Sequence, residues 1–82
     1  MKGYRYSIVM EKPLLPGTKV RTLSEHGVFV AEARKKRQWG VEGTIQEHHD
    51  SHGLFYNIKH SDGTIGPYEP SEFEILELIL KI

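Results

Sequence analysis

The sequence predicts an all-β protein, and three observations carry that prediction. Between residues 40 and 75 the chain is a series of short segments in which apolar and polar residues alternate. Gly, Asp and Pro separate those segments, as they do in a meander of antiparallel strands. Ser61-Asp62-Gly63 adds a strong hairpin signal, because glycine takes the positive φ that a tight reversal requires. The weight rests on the alternation. A strand sends successive side chains to opposite faces, so one buried on a single side needs an apolar residue at every second position.

The elements follow in chain order. Residues 4–10 alternate tyrosines with aliphatics and read as a strand. Two prolines and a glycine make 11–17 a connector. Thr18-Lys19-Val20-Arg21-Thr22-Leu23 opens the main domain, with Val20 facing inward and Leu23 on the other face. The stretch 24–39 has no clear period. Its first part, Gly27-Val28-Phe29-Val30-Ala31-Glu32-Ala33, reads as an extended excursion or an irregular hairpin arm. Arg34-Lys35-Lys36-Arg37 then repels itself and is expected in solvent.

Val41 and Ile45 share one face of the next strand, and Glu42, Thr44 and Gln46 take the other. Asp50-Ser51-His52-Gly53 is a polar loop. In the strand after it, Leu54, Tyr56, Ile58 and His60 fall on one side, with Phe55, Asn57 and Lys59 opposite. Pro67 and Pro70 are expected to flank a short strand and stop it from lengthening. Pro70-Ser71-Glu72-Phe73 reads as a 3₁₀ turn that delivers Phe73 and Ile75 to the core. Over 75–82, a strand would gather Leu76, Leu78, Leu80 and Ile82 on one face and could pair with 4–10. The expected inward set is Val20, Val41, Ile45, Tyr56, Ile58, Phe73 and Ile75.

Composition sets the bounds. With 82 residues there is one domain and a small core. Lys plus Arg and Asp plus Glu are 11 each, so a nucleic-acid coat over the whole surface is excluded and only a local patch remains. The absence of cysteine removes disulfides and thiol chemistry and suits a reducing compartment. The N-terminal Met-Lys-Gly-Tyr-Arg-Tyr lacks the apolar run of a signal peptide. No stretch reaches the roughly 18–20 apolar residues of a membrane span. The expectation is a soluble, cytoplasmic protein without membrane contact.

Gly17-Thr18-Lys19-Val20-Arg21, Gly40-Val41-Glu42-Gly43-Thr44-Ile45, Tyr56 to Gly63 with its Ser-Asp-Gly ending, and Tyr68 to Ile75 together resemble the small SH3-like barrels. Within that group the chain is similar to the Tudor, KOW and Mib/Herc2-type modules. The resemblance implies a five-stranded barrel over 17–76, with a lengthened first loop over 22–39. It leaves 1–16 as an extra N-terminal strand and connector, and 77–82 as an apolar C-terminal strand extension. It speaks to architecture more than to function, because such folds carry many unrelated binders.

The residues give little support to catalysis. His48 and His52 have the i, i+4 spacing that serves zinc on a helix, but Gly53 opposes a helix and a metal needs three or four converging ligands. His48, His49 and His52 are expected as exposed loop histidines, and no metal or other cofactor is expected. Ser24, Ser51, Ser61 and Ser71 lie in polar turns, and no Gly-x-Ser-x-Gly elbow exists. Glu47 with Asp50, and Glu69 with Glu72, are expected as surface carboxylates. The chain reads as a non-enzyme.

Two clusters remain. Arg34, Lys35, Lys36 and Arg37 beside Trp39 could neutralise phosphates and stack a base. Phe29, Trp39, Phe55 and Tyr68 correspond to the aromatic cage for methylated cations that a Tudor resemblance implies. The leading expectation is an adaptor module that binds a protein in the groove between the 24–39 loop and the 50–53 turn. Trp39 and Tyr68 would anchor the partner, and Arg34 and Arg37 would orient it. The second expectation is a nucleic-acid binder using Arg34–Arg37 and Trp39. The apolar strand over 76–82 adds homodimerisation by strand addition, if its edge is unpaired.

Overall fold

The structure is a computed structural model that describes residues 13–27, 29–50 and 53–78. Among these residues five strands are connected by turns, one α-helical turn and one 3₁₀ turn. In order these are β1 (Lys19–Thr22), α1 (Ala31–Arg34), β2 (Glu42–His49), β3 (Phe55–His60), β4 (Ile65–Tyr68), a 3₁₀ turn (Pro70–Glu72) and β5 (Phe73–Glu77). The strands form one antiparallel sheet in the order β4-β3-β2-β1-β5. β4 and β5 are its two edges, and no pairing among the described residues closes it into a barrel. The predicted all-β class holds.

The alternation in the sequence sets the core. Val20, Ile45, Tyr56, Ile58, Phe73 and Ile75 are buried as expected, joined by Leu14 and Tyr68. Val41 is only half-buried, because it lies just outside β2. There its main chain bonds Thr22 at the neck of the long loop. The connector is drawn onto the core by the Leu14 N–H, which donates to the Tyr56 hydroxyl at 2.9 Å. The Tyr56 ring meets Phe73 edge-on at 5.6 Å.

Two β-bulges explain where strict alternation stops. Ile45 faces Ile58 and Glu47 faces Asn57, so Gln46 is an extra residue on β2. The bulge turns Glu47 away from the core, where its carboxylate accepts from Asn57 Nδ2 at 3.0 Å. On β5 the register shifts at Leu76, which brings Glu77 opposite Lys19 at 3.4 Å.

Several expectations are corrected. Pro67 lies inside β4 rather than flanking it, which an edge strand tolerates because the missing N–H costs no interior bond. The excursion after Gly27 contains a helical turn, Ala31–Arg34, built from the good helix formers Ala and Arg with Glu32 in the first turn. Of the four-residue basic run, Arg37 is not in solvent: its side chain is 1% exposed. Glu72 is not a surface carboxylate but fully buried. His48 and His49 are exposed but belong to β2, not to a loop. The strand expected over 4–10, its pairing with the C-terminal segment, His52 and residues 79–82 lie outside the described residues. No helix among the described residues is long and apolar enough to cross a membrane.

Candidate functional site

The loop 23–40 leaves β1 and returns to β2 through a narrow neck. Gly40 N–H donates to Thr22 O at 2.8 Å, Thr22 N–H donates to Val41 O at 2.9 Å, and the Val41 N–H donates to Thr22 Oγ1 at 3.1 Å. Thr22 is buried for that purpose. Between its ends the loop lies against β4 and the 3₁₀ turn. At Gly66 the approach is close enough that any Cβ would collide with the Lys36 carbonyl.

Glu72 is the anchor of this arrangement. The Pro70–Glu72 turn carries a capping box with Glu69, in which Glu72 Oε1 accepts the Glu69 N–H at 2.7 Å. Its other oxygen accepts the N–H groups of His26 at 2.9 Å and Gly27 at 2.8 Å and pairs with Arg37 Nη2. Burial alone would push the Glu72 carboxyl up. The N–H groups of Glu69, Gly27 and His26, together with Arg37, outweigh burial and hold it below the ordinary value.

Arg37 fills the aromatic cluster. Its guanidinium carbon lies 4.5 Å from the Phe29 ring centre, 4.7 Å from Trp39 and 5.4 Å from Tyr68. Trp39 packs edge-on against Tyr68 at 5.4 Å. A desolvated guanidinium between ring faces and a carboxylate has both its charge and its flat surfaces matched. Three of the four expected cage rings thus surround a cation, and that cation is the chain's own. Phe55 instead meets Phe29 edge-on at 6.0 Å and carries His49 stacked at 5.2 Å.

Of the other basic residues, Arg34 shares the Glu25 carboxylate with Arg37, whose Nη1 lies 3.5 Å from it. Arg34 Nε pairs with Glu25 at 2.9 Å and Lys35 with Glu32 at 3.5 Å, whereas Lys36 has no ion-pair partner among the described residues. Arg34, Lys35 and Lys36 are exposed, Trp39 is half-buried against the core, and Tyr68 is fully buried. The six residues singled out from sequence therefore do not form one surface. An aromatic contact does lie in the expected groove region: half-buried Phe29 meets half-buried Phe55, exposed His49 stacks on Phe55, and Val30, next to Phe29, is 74% exposed.

Sequence reasoning set His60 on the inward row without a role, read Glu72 as a surface carboxylate, and missed Gln38. His60 is buried where β3 passes under the loop; its Nδ1 lies 2.9 Å from Thr64 Oγ1 and its Nε2 lies 2.6 Å from the Tyr68 hydroxyl. Gln38 binds that same hydroxyl through its main chain. The one available signal was the Glu-Pro-Ser-Glu pattern of a capping box, which places a carboxylate beside free N–H groups. Among the described residues no group of three or more His, Asp or Glu could hold a metal ion.

No protein-family model, curated protein or solved structure matches the chain. What fold and site define is a class: a small all-β domain whose long loop is locked to an open five-stranded sheet by a buried ion pair.

Proposed function

We propose that the chain is a non-catalytic binding module of SH3-like design that takes an extended segment of a protein partner. The strand order β4-β3-β2-β1-β5 and the 3₁₀ turn between the last two strands support the SH3-like reading. The observation that carries the binding reading is the Phe29–Phe55 contact at 6.0 Å, which joins the loop to the β2–β3 hairpin beside exposed Val30. Rings held in place before the partner arrives lose little entropy on binding, and aromatic anchors dominate binding energy. The anchors of this proposal are Phe29, Val30, Phe55 and His49. Trp39, Tyr68 and Arg37 act behind them by fixing the loop. Lys36, which has no carboxylate partner among the described residues, would meet an acidic residue of the partner.

The nucleic-acid reading is weakened because Arg34, Lys35 and Arg37 already hold carboxylates. A peptide library displayed on phage and selected against the immobilised protein tests the choice. Enriched peptides should perturb amide signals at Phe29, Val30, His49 and Phe55, and Val30→Asp should abolish their binding. Failure to enrich any peptide, together with salt-dependent binding of single-stranded oligonucleotides lost on Lys36→Ala, would reverse the assignment.

A further inference from the structure

We propose that His60 is a proton-operated latch on the 23–40 loop: a second proton on its ring turns the Tyr68 hydroxyl from His60 to the main-chain carbonyl of Gln38. The inference stands apart from the binding proposal. It rests on counting protons in the contacts that run from Asp62 through Thr64, His60 and Tyr68 to the Gln38 carbonyl. The Gln38 side-chain amide, which donates to Thr64 Oγ1 at 2.9 Å and Asp62 Oδ2 at 3.1 Å, brings its own protons and leaves the count unchanged.

Four contacts are involved. Thr64 Oγ1 lies 2.6 Å from Asp62 Oδ1 and 2.9 Å from His60 Nδ1. The Tyr68 hydroxyl lies 2.6 Å from His60 Nε2 and 2.9 Å from Gln38 O. Each needs one proton. Thr64 and Tyr68 bring one each, a neutral imidazole brings one, and an imidazolium brings two. The neutral ring therefore leaves one of the four contacts empty, and the charged ring fills them all.

Which contact is empty follows from Asp62. Thr64 holds its carboxyl down to about 2, so it is an acceptor only. The Thr64 hydroxyl is then committed to Asp62, and His60 Nδ1 must donate to Thr64 Oγ1. Nε2 is left bare, and the Tyr68 proton goes to it at 2.6 Å, leaving Gln38 O without that donor. A proton arriving on Nε2 reverses the last step. Tyr68 then donates to Gln38 O while still accepting the Gln38 N–H at 2.5 Å, so Tyr68 holds the loop main chain by two bonds instead of one.

The surroundings set the resting state. Burial lowers the His60 pKa, against the opposing pull of Asp62 and of the Thr64 main chain, so the ring is neutral at pH 7. Arg37, whose guanidinium carbon lies 5.4 Å from the Tyr68 ring centre, is the nearby cation and is itself paired with Glu72. From β2 the residue opposite His60 is Gly43, which brings no charge, and Lys59 next to it on β3 is exposed.

Isotope-labelled protein titrated from about pH 8 to about pH 4 reads the latch by NMR. The neutral ring should carry its proton on Nδ1. The Gln38 carbonyl carbon and the Trp39 amide should shift with the same midpoint as the His60 ring. In Tyr68→Phe the His60 ring should still titrate while the Gln38 and Trp39 response disappears. If that variant does not fold, His60→Gln should remove the loop response outright. A neutral ring protonated on Nε2, a His60 that never titrates in that range, or a loop response surviving either substitution would overturn the proposal.

Discussion

The β2–β3 hairpin and the 23–40 loop are neighbours held by different physics. In the hairpin, Ile45, Tyr56 and Ile58 are fully buried, and many weak contacts share the work. Among the described residues of the loop the only buried side chain is that of Arg37, a cation. The loop is held by single polar groups: Thr22 at its neck, Glu72 at His26, Gly27 and Arg37, and Tyr68 at Gln38. Area-based adhesion degrades gradually, one methyl at a time. Adhesion through one carboxylate fails at once.

The most damaging substitution should therefore be in neither strand of the hairpin. Glu72→Met strands the N–H groups of His26, Gly27 and Glu69 and leaves Arg37 a buried, unpaired charge. Removing one partner of a buried pair costs about 3–5 kcal/mol, a large share of a small domain's stability. Urea unfolding measures that loss. Faster amide exchange in 23–40 than in β2 and β3 would show that the loop lets go first. Acid should act similarly on the unaltered chain. The Glu72 pKa is lowered in the folded state, so its contribution is complete above the ordinary 4.5 and disappears as pH falls through the folded value. Stability against pH should lose that component in Glu72→Met.

Arg37→Met comes second and tests the asymmetry of the pair. Without Arg37, Glu72 still accepts three main-chain N–H bonds, whereas Arg37 without Glu72 retains only a 3.5 Å contact to Glu25 and the ring faces. The expected loss is about 1–2 kcal/mol, the size of a desolvated cation–π set. Equal losses from the two variants would mean that the ion pair alone, not the N–H cradle, holds the loop.

The same division decides how much could be read in advance. The hairpin was legible because burial there repeats every second residue: Tyr56, Ile58 and His60 are visible as a row. The bulge at Gln46 was not: charged Glu47 breaks the alternation at the next inward position, but the end of a strand would read the same way, and only the pairing with Asn57 reveals the bulge. Arg37 was misread for a related reason. One arginine in a run of four basic residues has no local mark of burial, and its partner is 35 positions away. Phe29, Trp39 and Tyr68 do lie together while Phe55 stands outside them, and sequence could not say that Arg37 would occupy the space among the three.

Ile58→Val removes one methyl from a fully buried side chain and should cost about 0.5–1.5 kcal/mol. Its informative feature is where the loss appears. The midpoint of urea unfolding should drop for the whole domain, with amide exchange in the loop changing no more than in the sheet. A selective loosening of 23–40 would mean that sheet and loop share one packing unit after all.

The smallest effect should come from Lys35→Ala, two positions from Arg37. Lys35 meets Glu32 at 3.5 Å, with the two side chains 71% and 84% exposed. A pair so open to water is worth about 0–0.5 kcal/mol, and alanine returns a similar amount as the better helix former. The net change in unfolding midpoint should be close to zero. Lys35→Ala and Arg37→Met remove equal charge from adjacent turns of one loop, so any difference between them measures burial and partners alone. If Lys35→Ala proved as costly as Arg37→Met, the α1 turn would itself anchor the loop, and the distinction between exposed run and buried cation would collapse.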